Sequence, residues 1–293
     1  MIYPDFIKEI LDGNVAVYAP ALQLYLPYIE QILRGEQADM PEKKNASLMR
    51  RFSFDFDELD TTEKAEQTTQ ESVAIIPIRG MLTKYGDWWD YGSEEYASSL
   101  RDAYKDPSVK AVILRIHSIG GTTHSVIPLE AAIQARNKPV IAAVDSMAMS
   151  AAYYISLFAD KIIAIDQMAE VGSIGIMARI LDDRKMKEEF GLKIIEIVPP
   201  ESKWKNRAYN EALNGKPQLL IQEELSPWAQ RFQNVVKTYR PSLDLSVEGI
   251  IEGRQFYAYD AQKNGLVDEV MPLEDIVQYA FDYMTNTTSK LFT

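Results

Sequence analysis

The sequence predicts an α/β fold, a mostly parallel sheet flanked by helices. Two observations predict it. Short runs of Val, Ile and Ala recur with almost no polar residue, as at 73–80 (VAIIPIRG), 111–118 (AVILRIHS) and 139–145 (PVIAAVD). Strands of this kind are buried on both faces. Between them lie stretches of helical character, and that alternation implies right-handed crossovers joining parallel strands.

Each element can be placed in order. Residues 1–72 read as an N-terminal arm and charged linker: 16–33 is apolar but broken by Pro20 and Pro27, and 35–72 is polar and charge-rich. The folded domain spans 73–293. Its first strand, 73–80, ends in Gly, and a helix over 94–104 is closed by Pro107. The strand 111–118 leads through Gly120-Gly121 to a helix at about 125–137. The strand 139–145 precedes a helix from Ser150 to about Ala159, then a strand at 161–166 (KIIAID). A helix over 182–190 and a strand at 192–198 (LKIIEIV) follow. Residues 217–239 carry Leu220, Ile221, Leu225, Trp228, Phe232 and Val235 three or four apart, an amphipathic helix. Residues 253–270 read as turn, short helix, Gly stop and short strand, and 272–283 as a closing helix.

Composition narrows the function. The chain has 293 residues, no cysteine and two histidines, His117 and His124. Thiolate chemistry and disulfides are excluded, and a histidine-rich metal site is not expected. The net charge of -12 argues against a nucleic-acid surface. The first ten residues lack a basic segment ahead of an apolar core, and no uncharged apolar run reaches about 18 residues, so neither a signal peptide nor a membrane anchor is expected.

Three segments carry candidate chemistry. Ser118-Ile119-Gly120-Gly121 follows a buried strand, where bare N–H groups can stabilise an oxyanion, although a plain strand-to-helix turn has the same composition. Ser150 follows another strand among the small residues Ala148, Ala151 and Ala152, as a nucleophile needs, though helix caps are also commonly serine. The segment 201–206 (ESKWKN) offers Lys203 and Lys205. A lysine can serve as the base for a serine only if burial favours its neutral form; otherwise both are solvated surface charges. If the segment is extended, its two lysines share a face.

Together these segments resemble the signal peptide peptidase A (SppA) family of serine peptidases, over about 73–270. The matches run in order: Ser118-Ile119-Gly120-Gly121; Ala148-Met149-Ser150-Ala151-Ala152-Tyr153-Tyr154; Ala159-Asp160-Lys161-Ile162; Val171-Gly172-Ser173-Ile174-Gly175-Ile176; the lysine segment, more loosely; and Gly253-Arg254-Gln255-Phe256, Ala261 and Gly265-Leu266-Val267-Asp268. Ile119 stands where the family has proline, and Ala151 and Ala152 where it has glycines. The resemblance implies a ClpP/crotonase-like fold of repeated β-β-α units. It implies a Ser–Lys dyad of Ser150 and Lys205, with Lys203 as the alternative base, and an oxyanion hole from the N–H groups of Gly121 and Ala151. Ser173 is a candidate for orienting the lysine. No cofactor or metal is implied. The substrate would be protein or peptide, and the partner a further copy, since the family assembles into rings or domes that can share sites between protomers. The unanchored form with a charged arm resembles the phage-encoded branch that processes capsid and scaffold proteins, placing it in the host cytoplasm or prohead. Two rivals share the fold: a crotonase-type acyl-CoA enzyme and a catalytically inactive scaffold. Asp145 and Tyr153 are read as structural, and Trp88 and Trp89 as lining a groove, a subunit contact or the core.

Overall fold

The computed structural model describes residues 15–17, 48–59, 70–86, 91–180 and 195–290, and isolated positions around 31–34 and 182–193. The strands and helices, in chain order, are β1 (Val15–Val17), β2 (Arg50–Phe52), β3 (Glu58–Leu59), β4 (Ser72–Leu82), α1 (Ser93–Lys105), β5 (Val109–Thr122), α2 (Val126–Gln134), β6 (Val140–Met149), α3 (Ala151–Ser156), β7 (Lys161–Ala164), β8 (Glu170–Gly172), α4 (Arg184–Glu189), α5 (Arg207–Leu213), α6 (Gln218–Leu220), α7 (Ser226–Tyr239), β9 (Gln255–Tyr257), α8 (Ala258–Asn264), β10 (Glu269–Val270) and α9 (Leu273–Lys290).

The central strands run β10-β7-β6-β5-β4-β2-β3, parallel from β10 to β4. The apolar runs are buried on both faces, as expected, because alternate residues serve two cores. Ala74, Ile76, Val112, Leu114, Ala142 and Val144 face one cluster, which also holds Leu100 of α1, Leu129 of α2 and Tyr153 of α3. Their neighbours Val73, Ile75, Ile113, Ile141 and Ala143 pack with Ile276, Val277, Ala280 and Phe281 of α9. The period of two therefore decides which helix covers which face.

The long strands are each two segments in one. The β4–β5 register shifts between Gly80 and Met81, and the β5–β6 register between Ile116 and Ser118. The first half of β6 pairs with β7 through Ile141 to Val144, while Met147 to Met149 pair with β8 instead. Such irregularities bend a strand. They make the expected β-β-α units out of strands that remain continuous in hydrogen bonding.

Three differences from the sequence reading have local causes. Residues 118–122 continue β5, whereas a glycine turn was expected, because Gly120 and Gly121 are rungs against β4. Within the segment read as arm and linker, β2 and β3 pair antiparallel beside β4, and Arg51 is buried with its guanidinium 3.8 Å from Asp106. The strand expected at 192–198 is absent among the described residues there: no neighbour pairs with it, and Ile195 and Ile197 are 69% and 86% exposed. The amphipathic stretch 217–239 is helical, with a π turn at Ile221–Leu225 between α6 and α7.

Tyr153 is fully buried, and its hydroxyl donates to the Leu266 carbonyl at 2.8 Å, tying α3 to the C-terminal segment. Tyr153→Phe leaves that carbonyl without this partner. It should cost about 1–3 kcal/mol, read as a lowered denaturant midpoint with unchanged slope.

Candidate active site

Ser150 is the joint between β6 and α3. Its backbone has φ 52 and ψ -117, a conformation a non-glycine residue holds only under constraint, at a cost of about 1–3 kcal/mol. The surroundings supply that constraint. Met149 is a rung against Gly172 of β8, the Ser150 N–H donates to the Gly172 carbonyl at 2.9 Å, and the Ser150 carbonyl accepts from the Tyr154 N–H at 2.8 Å. Gly172 is required here: its φ is 111, and a Cβ would lie 2.7 Å from the Arg254 carbonyl oxygen. Ser150 is buried, at 2% exposure, yet among the described residues its hydroxyl makes one long bond, to the Gly175 carbonyl at 3.5 Å. It is positioned by backbone and weakly held by hydrogen bonding.

The glycine segment lies beside it. Ser118 pairs with Ala148, two residues before the nucleophile candidate. The Ser118 hydroxyl donates to the Gly80 carbonyl at 2.6 Å and accepts from the Gly120 N–H at 3.2 Å, fixing the path into Gly121. Gly121 packs so closely on β4 that a Cβ would meet the Leu82 carbonyl oxygen at 1.8 Å. Ala151, the other expected oxyanion donor, is the first residue of α3, where N–H groups lack intrahelical acceptors.

A small apolar cleft of about 10 Å³ lies against α3, lined by Thr123, Val126, Ala151, Tyr154, Ile176, Trp228 and Phe232. Its far wall is α7, which is clamped to α2 and α3 by one polar cluster. Arg231 donates from Nε to the Tyr154 hydroxyl at 2.9 Å and from Nη2 to Glu130 at 2.9 and 3.0 Å, and the Tyr154 hydroxyl donates to Glu130 at 3.0 Å. Burial pushes the Tyr154 phenol up to about 12, so it remains a donor across the neutral range. Sequence reasoning missed this cleft. Trp228 and Phe232 were legible as the apolar stripe of a helix, but nothing in their spacing said that the stripe would face the Ser150 elbow.

The lysines stand apart from this construction. Lys203 and Lys205 are both exposed, and among the described residues neither ammonium makes a hydrogen bond or ion pair. Residues 200–206 fold into a 3-10 turn and further turns, not the extended segment that would align the two side chains. Asn206, at φ 56, reverses the chain, and its amide and that of Asn210 hold Glu196 at 3.0 and 2.7 Å. In the single chain Ser150 adjoins Ala151 at the start of α3, the Ser118–Ala148 rung sets the glycine segment alongside β6, and among the described residues no hydrogen bond joins either lysine to them.

The remaining candidates are placed as follows. Ser173 follows Gly172 beside the elbow, at φ 53, with its N–H donating to the Arg254 carbonyl at 2.9 Å; it has no bond to a lysine among the described residues. His117 is exposed on β5, and His124 is exposed with its ring edge-on to Trp228 at 5.9 Å. Neither bonds to Ser150. Asp145 pairs with Arg115 at 2.8 Å, a structural contact. Trp88 and Trp89 lie outside the described residues.

The family model for Peptidase family S49 matches residues 132–284, more than half of the chain, and that span contains Ser150, both lysines and the cleft wall. The chain belongs to Peptidase family S49. This S49 chain is 30% identical over 225 residues to Protease 4 of Salmonella typhi, covering 75% of the chain and 36% of that protein. It is 32% identical over 212 residues to Protease 4 of Haemophilus influenzae, covering 71% and 34%. To a putative signal peptide peptidase SppA of Enterococcus faecium it is 25% identical over 277 residues, covering 89% and 78%. The S49 chain therefore spans about a third of the length of the two Protease 4 relatives. Among its described residues, no helix is long and apolar enough to cross a membrane.

Proposed function

We propose that this S49 chain is a serine endopeptidase whose nucleophile is Ser150. The observation that carries the reading is the elbow itself: a serine held at positive φ between a strand and a helix, flanked by small residues, with the strand of the glycine pair alongside through the Ser118–Ala148 rung. In the proposed reaction an amine removes the Oγ proton, Oγ attacks a peptide carbonyl, and the oxyanion is met by the N–H groups of Gly121 and Ala151. The amine returns the proton to the leaving nitrogen, and water then cleaves the acyl-enzyme.

The amine is Lys205 in this reading, with Lys203 as the alternative. A lysine acts as a base only where desolvation favours its neutral form, and in the single chain both are exposed. A second copy of the chain would have to cover this segment. Exposed Ile195, Ile197, Val198 and Trp204 around the lysines supply apolar surface for that contact. Lys205→Ala and Lys203→Ala separate the two candidates: Lys205→Ala should lower peptide cleavage by about 10²-fold or more, and Lys203→Ala should leave it within a few-fold. The reverse result transfers the role to Lys203.

For substrates we propose capsid and scaffold proteins, cleaved in the host cytoplasm or inside a prohead. The support is the charge-rich composition of 35–72 and the family resemblance. Incubating wild type and Ser150→Ala with such proteins, and sequencing the fragments by mass spectrometry, tests it. Cleavage sites seen with wild type and missing with the variant are expected, and identical digests would reject it.

A further inference from the structure

The edge of β5 next to Ser150 already carries an extended polypeptide. A strand has two hydrogen-bonding edges. At Gly120 and Gly121 one edge of β5 is taken by Met81 and Leu82 of β4. The other edge is taken by β6 as far as the Ser118–Ala148 rung. Beyond that rung β6 turns away at Ser150 into α3, and the vacated edge is filled by β1, antiparallel, with Val17 opposite Gly120, Ala16 opposite Gly121 and Val15 opposite Thr122. Of these three, Val17 is opposite the residue closest to the Ser118 rung, so the C-terminal end of β1 is the end nearer that rung.

We propose that residues 120–122 form a binding strip for an extended polypeptide, and that Val15–Val17 is its resident occupant, competing in cis with any substrate strand. The inference rests on the reading of Ser150 as nucleophile only for its consequence; the strip itself is a matter of backbone pairing. Main-chain hydrogen bonds supply affinity in such strand addition, independent of sequence. A tethered occupant has a high effective concentration. Its Ala16 stands opposite Gly121, the proposed oxyanion donor, so the occupied form is the resting form.

The test uses the full-length chain and a Val15→Pro/Ala16→Pro double variant. Successive strand residues direct their N–H groups to opposite sides, so one of the two prolines removes a donor aimed at β5 whichever way the ladder is phased. Two readouts are taken: amide hydrogen exchange at 120–122, and the rate at which a fluorophosphonate probe labels Ser150. Faster exchange at 120–122 in the variant, reversed by a synthetic peptide of residues 12–18, is the expected result. Labelling should rise about tenfold, the gain from removing an occupant that fills roughly nine-tenths of the molecules. Exchange that is the same in parent and variant overturns the strip. Equal labelling rates in the two proteins overturn the competition. Faster exchange with no labelling of either protein supports the strip and counts against Ser150 as nucleophile, so the two readings fail separately.

Discussion

Ser150→Ala should abolish peptide cleavage and phosphonate labelling, with a loss of at least about 10³-fold, and should leave the fold untouched. The two halves of this expectation have different physical origins. Activity is lost because the only atom removed is the attacking oxygen. Stability is kept because that oxygen contributes a single long contact, 3.5 Å to the Gly175 carbonyl, while the backbone bonds that hold the elbow, to Gly172 and from Tyr154, do not involve the side chain. Alanine keeps a Cβ, so the cost of positive φ is unchanged. The midpoint of denaturant unfolding should move by no more than about 0.5 kcal/mol equivalent. Residual cleavage in the variant assigns the nucleophile elsewhere; a large loss of stability would mean that Oγ is more tightly bonded than the structure shows.

Gly121→Ala should have the largest effect on stability. Its new methyl would sit 1.8 Å from a backbone carbonyl oxygen of β4, and a backbone atom cannot rotate away as a side chain can. The β4–β5 ladder must open at Leu82, or β5 must shift toward Ser150. Overpacking of this kind costs about 3 kcal/mol or more. Because β5 at this point is also the strip opposite β1 and the neighbour of the elbow, any variant that still folds should label with phosphonate much more slowly. Thermal unfolding beside labelling kinetics checks both. A Gly121→Ala protein with parental midpoint and labelling rate would show that the close approach to Leu82 is relaxed in solution.

Much of the fold was legible because burial on both faces leaves a strong mark. The Val and Ile runs at 73–80, 111–118 and 139–145 are all central strands. Ser150 stands at the strand-to-helix junction that its position after such a run predicted, whereas the glycine pair, read as a turn, continues β5. Illegible were features that depend on a partner distant in sequence. The run at 192–198 has strand composition, but a strand requires a neighbour, and none of its described residues pairs with the sheet. Arg50 to Phe52 look like part of a charged linker, and pair because β4 leaves an open edge. The cleft needed α7 to be swung against α3 by Arg231, Tyr154 and Glu130, residues 77 and 101 positions apart in their bonds.

By itself, the sequence determined the class of fold and the alternation of its central strands with helices, and it singled out Ser150 as the candidate nucleophile. Those follow from local composition and from periodicities of two and three to four residues. Tertiary structure alone decided that the glycine pair is strand and not turn, that β1 fills the edge where β6 departs, and that the lysines of one chain stay in solvent. Each of these is a question of which backbone edge or apolar surface remains unpaired after the core has closed, and such a remainder is a property of the assembled sheet, not of any segment within it.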